Sequence, residues 1–97
     1  LTSVRKYELV VVLSPDMDEE TTTGVVNRVN QFITERGGAL VKQDSWGLRR
    51  LAYPIQKYRE GNYRLTLLSL DPKYAQELES SLRVTPSVLR HLLVQKE

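Results

Sequence analysis

Apolar and polar residues alternate along the chain with two different periods, and each switch of period marks the border of a predicted element. Lys6-Tyr-Glu-Leu-Val-Val-Val-Leu13 is rich in β-branched residues and ends at Ser14-Pro15, where proline has no N–H to give to a ladder. A first strand is predicted over 6–13. Asp18 suits a helix N-cap, Glu19 and Glu20 suit the positive end of a helix dipole, and Val25, Val26, Val29, Phe32 and Ile33 fall on one helical stripe. This helix closes at Gly37-Gly38, because glycine takes the left-handed C-terminal conformation without a Cβ penalty. Three threonines and Gly24 near its start are weak helix formers, so tertiary packing has to hold that end. Residues 39–55 read as a long strand broken by a bulge or bend at Trp46-Gly47. Gln56 to Gly61, charged and ending in glycine, reads as a hairpin loop, and Asn62 to Leu70 as the third strand. Asp71-Pro72 is a cap followed by proline at the first helical position, and Ala75, Leu78 and Leu82 continue that helix. It must stop before Pro86, after which Ser87 to Gln95 is strand-like again.

The predicted order, strand-helix-strand-strand-helix-strand, describes one α+β domain over 1–97. Two right-handed crossovers joined by a hairpin build a four-stranded antiparallel sheet with two helices on one face, the ferredoxin-like βαββαβ arrangement. The second and fourth strands become its edges. One face of such a sheet is buried and the other should be polar, with clean alternation along each strand. The central strands depart from that rule. If Tyr7, Leu9, Val11 and Leu13 face the helices, Val10 and Val12 point to the open side, and in the third strand Leu65 and Leu67 oppose Leu68 and Leu70. Either apolar residues are simply tolerated there, or Val10, Val12, Leu65 and Leu67 form a surface for a protein partner.

Composition narrows function more than fold. With 97 residues, 40% hydrophobic and 27% charged, the chain is ordinary for a globular domain. No window approaches the roughly 18 apolar residues of a bilayer span. The first residues lack the basic, apolar and small-residue order of a secretory signal. Neither membrane insertion nor export is expected. Cysteine is absent, which removes disulfides and thiolate metal sites and fits a reducing compartment, so a cytoplasmic location is expected.

The net charge is only +2, so the electrostatic case rests on where the charges lie. Arg49, Arg50, Lys57, Arg59 and Arg64 share their stretch with one acid, Glu60, while Asp16, Asp18, Glu19 and Glu20 form an acidic block. Tyr53, Tyr58 and Tyr63 interleave with the basic run, and arginine beside aromatics suits phosphate pairing plus stacking on unpaired bases. A solvated hairpin loop is the plain alternative. Alternation sends Arg49 and Arg50 to opposite faces, one of them expected to pack its aliphatic stem on the sheet. The acidic block reads as helix capping, since it lacks the glycine and ligand spacing of a calcium loop.

Catalytic chemistry finds little footing. His91 is the only histidine, which excludes a multi-histidine metal site and makes a structural strand residue a better reading than a Ser-His-Asp triad. No GxGxxG, P-loop or HExxH occurs. An acylphosphatase-like enzyme of this topology needs a phosphate cradle after the first strand, where Ser14-Pro-Asp-Met-Asp-Glu-Glu20 would repel phosphate. A ligand-sensing regulatory domain needs a small-molecule site at a dimer interface. The third strand, Gly61-Asn-Tyr-Arg-Leu-Thr-Leu-Leu68, lacks the spaced aromatics that stack single-stranded RNA on a sheet face, so RNA is expected at the rim. Trp46 reads as a packing residue at the bend or, alternatively, as a stacking surface for a base. No enzymatic activity, cofactor, metal or small-molecule substrate is expected.

Trp46-Gly-Leu-Arg-Arg-Leu-Ala-Tyr-Pro-Ile55, followed by Lys57 and Gly61, resembles the signature stretch of the bacterial small-subunit ribosomal protein six family. Lys6-Tyr-Glu8 with Ser14-Pro15 resembles that family's first strand and turn, and Val88-Leu-Arg-His-Leu-Leu-Val94 its last strand. The resemblance covers the whole chain in the same element order. It implies a ferredoxin-like constituent of the small subunit that binds the central domain of 16S ribosomal RNA jointly with ribosomal protein eighteen. Carried over by position, it implies Arg5, Lys6, Lys57 and Arg90 as RNA contacts. Arg49, Arg50 and Tyr53, within the signature, and Arg59, beside it, are expected in the same set. The family's acidic C-terminal tail has no counterpart in these 97 residues, and no role for it is carried over.

Overall fold

In a computed structural model, which describes residues 4–96, the chain runs β1 (Arg5–Leu13), α1 (Glu19–Glu35), β2 (Ala39–Ile55), β3 (Tyr58–Leu70), α2 (Pro72–Arg83) and β4 (Val88–Lys96). β1 pairs antiparallel with β3 and β4, and β3 with β2, giving the sheet order β2-β3-β1-β4. This is the predicted ferredoxin-like arrangement, with β2 and β4 at the edges. Its borders are set locally. Asp18 caps α1 by accepting from the Thr21 N–H at 2.7 Å, and Asp71 caps α2 by accepting from the Lys73 N–H at 3.1 Å. At the other end of α1, Gly37 stands at φ +78, and the N–H groups of Gly37 and Gly38 donate to Thr34 and Ile33 carbonyls, closing a Schellman motif. Gly38 has a second reason to be glycine, since a Cβ there would lie 2.6 Å from the Ser69 carbonyl oxygen.

The core fills one side of the sheet. Tyr7, Leu9, Val11 and Leu13 of β1 and Leu68 and Leu70 of β3 pack with Val25 and Ile33 of α1 and Leu78 and Leu82 of α2. Burying each such side chain contributes about 1.5–3 kcal/mol, enough to hold the threonine-rich start of α1 that propensity alone would not. Arg36 ties the two helices together: its guanidinium lies 3.7 Å over the Phe32 ring and 3.0 Å from the Glu77 carboxylate.

One element differs from its prediction. β3 begins at Tyr58, not Asn62, and the expected loop over 56–61 shrinks to a two-residue turn at Gln56 and Lys57. Charged residues are tolerated in a ribbon that runs past the core, because Arg49, Arg50, Lys57, Arg59 and Glu60 all stay exposed to water there.

Candidate nucleic-acid interface

That ribbon shapes the site. Arg50 pairs with Glu60 and Ile55 with Tyr58, so Leu51-Ala-Tyr-Pro54 oppose the single residue Arg59. Extra residues on one strand bend it, and Pro54 falls where no ladder N–H is required. Gln56 opens the turn at φ +56, a conformation that two-residue hairpins usually give to glycine. The bent hairpin curls over the open face of the sheet at one end. Leu51 turns inward, and a Cβ on Gly61 would collide with Val12 and touch Leu51, so glycine lets the ribbon close down.

Val12 is therefore only 3% exposed. Its strand position does point it to the open side, across from Tyr63 and Arg90, yet the hairpin covers it, and the expectation that a partner reaches Val12 is corrected. Two further contacts fix the curl. The Arg90 guanidinium on β4 donates to the Tyr53 hydroxyl at 3.4 Å, and the Tyr58 hydroxyl donates to the Asp16 carboxylate at 2.8 Å. The bond to Asp16 holds the Tyr58 hydroxyl above its ordinary pKa. Asp16 thus anchors the hairpin, a role its place in an acidic block does not reveal.

The eight expected RNA residues fall into two groups. Arg49, Tyr53, Lys57, Arg59 and Arg90 are exposed and gather around the hairpin, with Arg49 across from Gly61 on the open face. Arg50, across from Glu60, points to the opposite face as alternation requires. Both arginines are exposed, so neither packs its stem on the sheet as expected. The ribbon carries them beyond the core, where no layer lies against them. Arg5 and Lys6 lie at the far end of β1, roughly 20 Å from Val12 at about 3.3 Å per residue. The fold does not bring them to the hairpin.

The open face between these ends is apolar. Leu65, Val10 and Leu92 form one cross-strand row, and Leu67, Glu8 and Val94 the next, with Glu8 held by Lys96 at 3.2 Å. Val10, Leu65 and Leu67 are half-buried, whereas Leu92 and Val94 are 54% and 41% exposed. Leu92 and Val94 are absent from the expected set, although alternation about the core-facing Leu93 would have found them. On the helix side, α1, β1, β2 and β3 border an open-mouthed pocket of about 240 Å³ whose apolar lining includes Leu9, Val11, Val25 and Val29. Its amides Asn30 and Gln43 bond each other at 2.7 Å.

Residues 6–95 match the family model described as Ribosomal protein S6. The chain is 44% identical to small ribosomal subunit protein bS6 of Moorella thermoacetica, over 97% of this chain and 96% of that protein. It is 45% identical to the bS6 of Caldanaerobacter subterraneus subsp. tengcongensis, over 97% and 99% respectively. The chain belongs to the ribosomal protein S6 family. A crystal structure of 30S ribosomal protein S6 from Thermotoga maritima shares the fold with a TM-score of 0.89 and 35% identity, over 97% of this chain and 89% of that one. As an S6-family member the chain is a structural, non-catalytic constituent of the small ribosomal subunit, and its place is the cytoplasm, where that subunit works. Among the described residues no helix is long and apolar enough to cross a membrane.

Proposed function

We propose that this S6-family chain binds the central domain of 16S ribosomal RNA jointly with ribosomal protein eighteen, holding RNA at the hairpin end and its protein partner on the apolar open face. The observation that carries the reading is the Arg90–Tyr53 contact, which joins a cation of one sheet edge to the signature stretch of the other and makes one exposed basic rim. Arg49, Lys57, Arg59 and Arg90 supply cations for phosphates, and Tyr53, 58% exposed, offers a ring and a hydroxyl. Arg50 serves RNA reaching the reverse of the ribbon. Arg5 and Lys6 form a second, separate contact. Val10, Leu65 and Leu67, extended by Leu92 and Val94, form the partner surface, which Val12 supports from beneath the hairpin.

With a net charge of +2, the chain alone releases few counterions and binds RNA weakly, so the partner is needed for tight binding. Filter binding of the partner-saturated protein to a central-domain RNA fragment over a salt series tests the assignment. Lys57→Ala should weaken binding and lower the slope of log K against log salt by about one unit, with an unchanged melting temperature. Unaltered affinity and slope would make the hairpin a solvated loop and move the RNA to Arg5 and Lys6.

A further inference from the structure

Trp46 is the extra residue of a β-bulge. Ser45 pairs with Arg64 and Gly47 with Tyr63, which leaves Trp46 without a partner in the ladder, and Gly47 takes φ +74 to make the bend. The indole is aimed by that bulge onto the open-face ring of Tyr63, with centroids 6.4 Å apart and planes 16° from parallel. Tyr63 backs the indole on one side, yet Trp46 is 42% exposed at the sheet rim. Arg49 donates through Nε to the Trp46 backbone carbonyl at 3.2 Å, which tethers the guanidinium to the bulge. Its terminal N–H groups make no hydrogen bond or ion pair among the described residues.

An exposed, pre-aimed indole beside a tethered arginine is a combination suited to an unpaired nucleotide, the ring taking the base and the guanidinium its phosphate. A nucleotide brings the flat ring and the anion in one unit, whereas a protein would have to supply a stacking side chain and a carboxylate from two residues. We propose that Trp46, backed by Tyr63, is a stacking platform for one unpaired base of the bound RNA, with Arg49 on the adjoining phosphate. This rests on the RNA reading above and adds a base contact at the rim, on the edge strand β2.

Trp46 is the chain's only tryptophan, so 5-fluorotryptophan incorporated there gives a single fluorine resonance. In the complex with ribosomal protein eighteen, that resonance should move when the central-domain RNA fragment is added and not before. Trp46→Ala should weaken RNA binding about tenfold or more with an unchanged salt slope, and Trp46→Phe should restore most of the loss. Arg49→Ala should lower the slope instead. If RNA binds while the resonance stays put and Trp46→Ala binds as tightly, the platform is overturned and the RNA reading stands. If the resonance moves on adding the protein partner alone, a protein covers the indole and the platform is overturned. If the unsubstituted complex binds no RNA, both readings fall.

Discussion

On the helix side of the sheet, Tyr7, Leu9, Val11, Leu13, Leu68 and Leu70 disappear beneath α1 and α2. On the other side, equally apolar residues of the same strands and their neighbour, Val10, Leu65, Leu67, Leu92 and Val94, keep part of their surface in water. Among the described residues the open side acquires a cover at one end, where the curled hairpin brings Gly61 down against Val12 beside the buried Leu51. Apolar surface withdrawn from water within the chain stabilises the fold; surface left in water contributes only when another molecule covers it. The boundary between the two kinds runs across the open face itself, between Val12 and Val10 on one strand.

The same substitution on either side of that boundary gives the strongest test. Val12→Asp places a charge under the hairpin with no partner, and should cost roughly 3–5 kcal/mol in urea unfolding. A near-normal midpoint would show that the hairpin stands open in solution. Leu9→Ala, 1% exposed on the helix face, should cost about 2–5 kcal/mol by the same measurement, and a loss below 1 kcal/mol would deny that this face is the close-packed one.

Leu92→Asp inverts the pattern. Stability should change by no more than about 0.5 kcal/mol, since the side chain is already half in water, while association with ribosomal protein eighteen, followed by size-exclusion chromatography, should be lost. An intact complex would remove the open face as the partner surface.

The smallest effect belongs to the α1 cap. The Thr21 hydrogen bonds hold the Asp18 carboxyl below its ordinary pKa of 3.8. A depressed folded-state pKa stabilises the fold above the unfolded value and loses that contribution as pH falls through the folded one. Asp18→Asn, which keeps a capping acceptor without the charge, should therefore melt much as the unsubstituted chain near neutrality and show a shallower loss of stability below about pH 4. Superimposable acid limbs would show that the cap carries no pH dependence.

Elements with local causes were legible in the residues. β2 spans Ala39–Ile55 as predicted, both helices start at the aspartates expected to cap them, and α1 ends at the glycine pair. The sheet order follows from that element order, because right-handed crossovers leave few alternatives. The candidate RNA residues were legible in kind but not in grouping. Nothing between Arg49 and Arg64 announces that four residues opposing one will bend the ribbon, bring Tyr53 to Arg90 and leave Arg5 and Lys6 alone at the far end. Arg49 and Arg50 were separable by alternation, yet their exposure depended on how far the ribbon runs beyond the core.

By itself, then, the sequence determined the element order, the capped borders, the core-facing residues of β1, the family and the basic character of the rim. These rest on interactions between residues close in the chain, or on a period that any sheet or helix imposes. Only the tertiary structure decided that Val12 is buried while Leu92 is not, that Asp16 anchors a tyrosine 42 residues away, and that Trp46 is presented on Tyr63 at the rim. Those outcomes depend on which surfaces meet after the chain has folded, and a residue's alternation gives the face it points to, not what will lie over that face.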